Sequence, residues 1–128
     1  MHLLVLGAGL QGSACAFDLL QQPDVAEVRI ADLKVDALPS FLSPYVGERL
    51  IPMTLDVRDP SAVRDAMRGC NAAMSAIPYY FNLDLARIAG FAARDRPAVD
   101  ARPREVDPKL DTAGLCLQHR LTHQVAQS

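Results

Sequence analysis

Leu3-Leu4-Val5-Leu6-Gly7-Ala8-Gly9-Leu10-Gln11-Gly12 sets an apolar run directly before three glycines spaced G-x-G-x-x-G, and a segment of helical periodicity follows. The glycines therefore fall where a strand turns sharply into a helix. Each has a distinct physical task in such a turn: Gly7 permits the tight bend, Gly9 lets backbone amides approach a pyrophosphate, and Gly12 lets the helix lie close on the sheet. The unpaired N–H groups at the helix start then face an anion, and Ala8, Leu10 and Gln11 are expected beside the cofactor with the three glycines. A second strand, read over Val25 to Ala31, ends in Asp32, about twenty residues past the last glycine, where a carboxylate accepts hydrogen bonds from the adenosine ribose hydroxyls. Strand, spacing, helix and acid together make this a dinucleotide-binding pattern.

Working outward, a helix is expected from Leu10 or Gln11 to about Gln21, with Ala14, Ala16, Phe17 and Leu20 inward and Pro23 ending it. Pro39 and Pro44 break up the stretch after Asp32 and leave room only for a short helix around Val35 to Phe41. Leu50 to Leu55 reads as a third strand, and Pro52 inside it predicts an edge position. Asp59 as N-cap, Pro60 at the first helical position and Gly69 as terminator frame the next helix. Asp56 and Val57 close the third strand on the cofactor side, where they either contact the adenine or, for Asp56, cap their own turn. Cys70 to Ile77 is expected as a strand buried on both faces and stopped by Pro78; a helix from Asn82 or Leu83 to about Ala93 follows, with Leu85, Ile88, Ala89 and Ala92 on one stripe. The alternation predicts an α/β doubly wound parallel sheet, since every parallel crossover needs a connecting element.

The chain has 128 residues, of which 50% are hydrophobic and 22% charged, with a formal net charge of −2. That is enough for one real core, and it provides no basic field for nucleic acid. The apolar start is too short for a signal or membrane segment, so no membrane partner and a cytoplasmic location are expected. Cys15, Cys70 and Cys116 show no metal-ligand spacing, and the His119/His123 pair lacks a third ligand, so no metal is expected.

The segment Ala76-Ile77-Pro78-Tyr79-Tyr80-Phe81-Asn82-Leu83, with Gly7 to Gly12 and Leu55-Asp56-Val57, resembles the saccharopine dehydrogenase family from Met1 to about Ala89. The resemblance implies a Rossmann-like NAD(P)-binding domain followed, in relatives, by a larger substrate domain. It also implies hydride transfer at a carbon–nitrogen centre of an amino-acid substrate, with Ala76, Ile77 and Pro78 lining the nicotinamide half of the site. No acid–base catalytic residue is identified. Tyr79 to Phe81 either pack the loop, present a face for a missing domain, or touch substrate.

From about Gly90 the sequence departs from the family pattern toward Arg, Pro and His, and no aromatic residue follows Phe91. The expectation is a cofactor domain over residues 1–93 and a poorly ordered or partly helical tail over 94–128, with a short helix around Leu115 to Val125 and Ala98-Val99-Asp100 as the remnant of a fifth strand. A stand-alone domain with a loose tail and a reading-frame shift near codon 90 both fit; either leaves the substrate half absent. The expected partner is therefore a dinucleotide, NAD before NADP because of Asp32, together with a separate substrate domain or a homodimer partner. The competing functional reading is a non-catalytic module that senses the dinucleotide and regulates a partner chain.

Overall fold

The strand β1 (His2–Leu6) lies between two parallel neighbours, and its side chains divide the core. In the computed structural model, which describes residues 1–94, β2 (Glu27–Asp32), β3 (Leu50–Thr54) and β4 (Ala72–Ser75) complete a four-stranded parallel sheet in the order β3-β2-β1-β4. Val5 stands opposite Ile30 on one side and Met74 on the other. Because successive residues of a strand point to opposite faces, Leu3 and Val5 join Val28, Ile30 and Leu50 on one face, under α1 (Leu10–Leu20) and Leu42. Leu4 and Leu6 join Ala31 on the other, under α2 (Pro60–Met67) and α3 (Asn82–Arg94). Helices on both faces make the sheet doubly wound, as the sequence predicts.

The strand order reverses between β1 and β4: β2 and β3 are added on one side of β1, and the chain then crosses to the other side. Open α/β sheets bind ligands outside the carboxyl ends of the strands at such a switch point. The fingerprint, Asp32, Asp56 and Ala76 all follow those ends.

Local signals explain the boundaries. The Asp59 carboxylate accepts from the Ser61 and Ala62 amides, and Pro60 opens α2. Gly69, with φ of 80°, turns the chain out of it. Pro52 sits on the edge strand β3, opposite Ile30, where one missing ladder donor is tolerated.

Three expectations need correction. The inward stripe of α1 is Gly12, Ser13, Ala16 and Leu20, whereas Ala14 and Phe17 face out. The helix start lies so close to β1 that only small residues fit beneath it, and Phe17 instead packs edge-on against Phe41 and Tyr45. The short helix expected at Val35 to Phe41 is a 3-10 turn over Ser40–Tyr45, displaced beyond Pro39. β4 is shorter than predicted and half exposed; like β3 it lies at an edge of the sheet among the described residues, and small side chains there reflect an edge as much as a double-sided core. The stripe Leu85, Ile88, Ala89 and Ala92 on α3 does pack into the core under α2. The expectations for Ala98 to Asp100, Leu115 to Val125, Cys116, His119 and His123 lie outside the described residues.

Candidate functional site

Gly7 leaves β1 with φ of 105°, in the left-handed region that favours glycine, and its amide still donates to Ala31 at 2.7 Å. A Cβ at Gly7 would meet the Ala76 carbonyl oxygen at 2.8 Å, so the loop after β1 lies directly against the end of β4. At Gly12 a Cβ would stand 1.8 Å from the Gly7 carbonyl oxygen, which leaves no room for any side chain. Gly9 differs from both. A Cβ there would find nothing within 4 Å, so the space over the second glycine is open.

Gly9 is also the N-cap of α1, and no side chain caps this helix. Its first-turn amides are thus left to a ligand or to solvent, and the positive end of the helix dipole favours an anion. Open space above uncapped amides fits a diphosphate. Ser13, fully buried, fixes the loop from below by donating its hydroxyl to the Ala8 carbonyl at 3.0 Å.

Asp32 ends β2 with its carboxylate aimed at the same loop. One oxygen accepts the Ala8 amide at 2.7 Å and the other the Lys34 amide at 3.2 Å. Each oxygen keeps a further lone pair for a ribose hydroxyl. Beside it opens a cavity of about 220 Å³, lined by Leu33, Leu55, Asp56, Val57, Ile77 and Phe81 among others, apolar except for the acids and Arg58. Those dimensions and linings suit one flat heteroaromatic ring with polar edges.

Asp56 and Arg58 form a forked ion pair across this rim. Arg58 Nε lies 3.0 Å from Oδ1, Nη2 lies 2.8 Å from Oδ2, and the Arg58 amide adds a bond of 2.9 Å to Oδ1. These bonds hold the Asp56 carboxyl down at about 2, well below the usual carboxylate range. Asp56 therefore caps its own turn and also lines the cavity.

Ile77 and Pro78 line the same cavity as Asp32 and Asp56, while Ala76 backs Gly7. Ser75 donates to Asn82 Oδ1 at 2.7 Å, tying the strand end to the start of α3 across the Tyr79–Phe81 turn. Tyr79 and Tyr80 are 78% and 65% exposed, whereas Phe81 turns into the core. Cys15 sits 3.3 Å from the Met74 sulfur, and burial, with Asp18 nearby, pushes its thiol up, away from reactivity. Among the described residues no cluster of three metal-ligating side chains occurs.

Residues 3–102 match the family described as "Saccharopine dehydrogenase NADP binding domain". The chain belongs to that family. The match runs past Ala89, further than the quoted motifs carry the resemblance. Saccharopine dehydrogenase (L-Glu forming) of Saccharomyces cerevisiae is similar in structure, with a TM-score of 0.59 and 26% identity over 72% of this chain. The chain spans only 20% of that enzyme's length. Uronate dehydrogenase of Agrobacterium tumefaciens, solved also in complex with NAD, matches with a TM-score of 0.51 and 25% identity, over 73% of this chain and 36% of that one. A short-chain dehydrogenase/reductase of Veillonella parvula, at 12% identity and a TM-score of 0.60, shares the fold. The family's domain is described as NADP-binding, and this chain has its Rossmann-like fold, which it shares with dehydrogenases.

Sequence reasoning located the fingerprint, Asp32 and Asp56 but passed over Ser13, Leu33 and Arg58. Ser13 carried a signal: a hydroxyl immediately after the last glycine, on the face the helix must bury. Arg58, two residues after an acid at a strand end, is the usual geometry for a forked partner.

Proposed function

We propose that the chain binds a nicotinamide adenine dinucleotide, NAD in preference to NADP, as the cofactor domain of an oxidoreductase acting at a carbon–nitrogen centre of an amino-acid substrate. The observation that carries the reading is Asp32, whose carboxylate is fixed at the end of β2 next to the uncapped start of α1. In this arrangement the amides of Gly9, Leu10 and Gln11 receive the diphosphate, Asp32 accepts the ribose hydroxyls, and Asp56 with Val57 meets the adenine edge. The bound cofactor would supply hydride chemistry; the protein's part is to orient it and shape its field. Ala76, Ile77 and Pro78 flank the cofactor from the β4 side. A 2′-phosphate brought beside Asp32 meets like charge, at a cost of about 1–4 kcal/mol per charge pair at contact distance. Lys34 offsets this poorly, because its exposed side chain must lose entropy for a screened contact. The family's description names NADP; the fixed carboxylate, and a fold relative solved with NAD, favour the other cofactor here.

In this reading catalysis falls to residues of a substrate domain. A second reading, a non-catalytic sensing module, draws on the exposed Tyr79 and Tyr80 beside the cleft as a surface for a partner chain. The test is thermal unfolding of the full chain with NAD: at about a hundred times its dissociation constant the ligand adds about 2.7 kcal/mol and a visible rise in melting temperature. An unchanged melting temperature at millimolar NAD and NADP overturns the reading.

A further inference from the structure

Asp32 does more than end a strand near a ribose site. The peptide joining Gly7 to Ala8 is gripped on both edges: the Ala8 amide donates to Asp32 Oδ2 at 2.7 Å, and the Gly7 carbonyl oxygen sits where a Cβ on Gly12 would come within 1.8 Å. In a trans peptide these two groups point in opposite directions, so holding both fixes the plane. The next peptide is fixed as well, since the Ala8 carbonyl accepts the buried Ser13 hydroxyl at 3.0 Å. Of these three constraints, only the Asp32 bond comes from outside the loop and its helix, 24 residues along the chain.

We infer that Asp32 is a positioning residue for the diphosphate loop, setting the Gly7–Ala8 peptide and with it the direction of the α1 amides, in addition to accepting the ribose hydroxyls. This rests on the dinucleotide reading above. The consequence runs against simple charge reasoning. If Asp32 only read the ribose, removing its negative charge would leave unchanged, or tighten, the binding of an anionic ligand that lacks both ribose hydroxyls. As a brace, its removal loosens the amides and weakens that same ligand. It also follows that Asp32→Ser, which clears space for a 2′-phosphate, loses NAD affinity without a matching gain in NADP affinity, because a serine hydroxyl is too short to reach Ala8.

The test uses ADP and 2′,3′-dideoxy-ADP as probes, by calorimetric titration of the full chain and the variants Asp32→Ala and Asp32→Asn. Asparagine keeps one acceptor oxygen for the Ala8 amide and removes the charge. Asp32→Ala is expected to bind 2′,3′-dideoxy-ADP about tenfold more weakly than wild type, the loss of one amide-to-carboxylate bond from the binding geometry, whereas Asp32→Asn stays within about twofold of wild type. Amide hydrogen exchange gives a readout that needs no ligand: Ala8 is protected in the wild-type chain and in Asp32→Asn, and exchanges at least about tenfold faster in Asp32→Ala. Equal or tighter binding of 2′,3′-dideoxy-ADP by Asp32→Ala overturns the inference, as does an unprotected Ala8 amide in the wild-type chain, a result that holds even where the alanine variant fails to fold. Failure of wild type to bind ADP, 2′,3′-dideoxy-ADP or NAD, with Ala8 protected, refutes the dinucleotide reading instead and leaves the brace standing on the exchange data.

Discussion

Two glycines of one motif, three positions apart, are expected to fail in opposite ways. At Gly12 an alanine Cβ would lie 1.8 Å from the Gly7 carbonyl oxygen and 2.7 Å from its carbon, both backbone atoms that cannot rotate aside. The start of α1 has to back away from β1 by roughly 1.5 Å to restore ordinary contact. Overpacking of this kind costs about 3 kcal/mol, and the better helix propensity of alanine returns about 1 kcal/mol. A net loss of about 2 kcal/mol lowers the melting temperature by roughly 10 °C in a domain of this size. At Gly9 the backbone φ is −68° and a Cβ meets nothing within 4 Å, so Gly9→Val folds with at most a small N-cap penalty. Its side chain fills the space over the uncapped amides, and dinucleotide binding is lost. Thermal unfolding and calorimetric titration of the two variants side by side check the contrast. Wild-type stability in Gly12→Ala, or wild-type affinity in folded Gly9→Val, refutes the reasoning.

Two further outcomes are expected. Arg58→Gln removes the fork from Asp56, so carbon-detected NMR titration shows its carboxyl rising from about 2 toward the ordinary 3.8; the lowered value means that the contribution of the pair is present above the ordinary pKa and is lost as pH falls toward about 2, and an unmoved titration in the variant contradicts the assignment. Leu85→Ala, at the one buried position of α3 among the described residues, costs about 3 kcal/mol by opening a cavity beneath α2; a loss below about 1 kcal/mol in urea unfolding means that α3 is not docked as described.

Much of the fold is legible because its signals are local. Pro52 marks the edge strand, Asp59 and Pro60 open α2, Gly69 closes it, and the glycine spacing sets the first turn, each through backbone conformation or a bond within three residues. The stripe of α1 was misread because hydrophobicity does not decide burial where backbones nearly touch: Gly12 and Ser13 go inward for their size, and Phe17 finds aromatic partners on the 3-10 turn instead. The site was legible in its members and not in its bonds. Asp32 stands at the predicted strand end, yet its bond to Ala8 depends on the register of β1 against β2, which no spacing along the chain encodes. Ile77 and Pro78 share one cavity with Asp32 and Asp56 because β4 lies beside β1, a fact of strand order rather than of sequence.

The central claim is that this domain holds a dinucleotide through the start of α1 and selects it through Asp32. Calorimetric titration of the full chain with NAD and with NADP under one buffer condition tests it most directly. The account predicts saturable binding of both with NAD the tighter, by about tenfold for a preference worth 1.4 kcal/mol. No heat of binding with either, or NADP the tighter ligand, contradicts it.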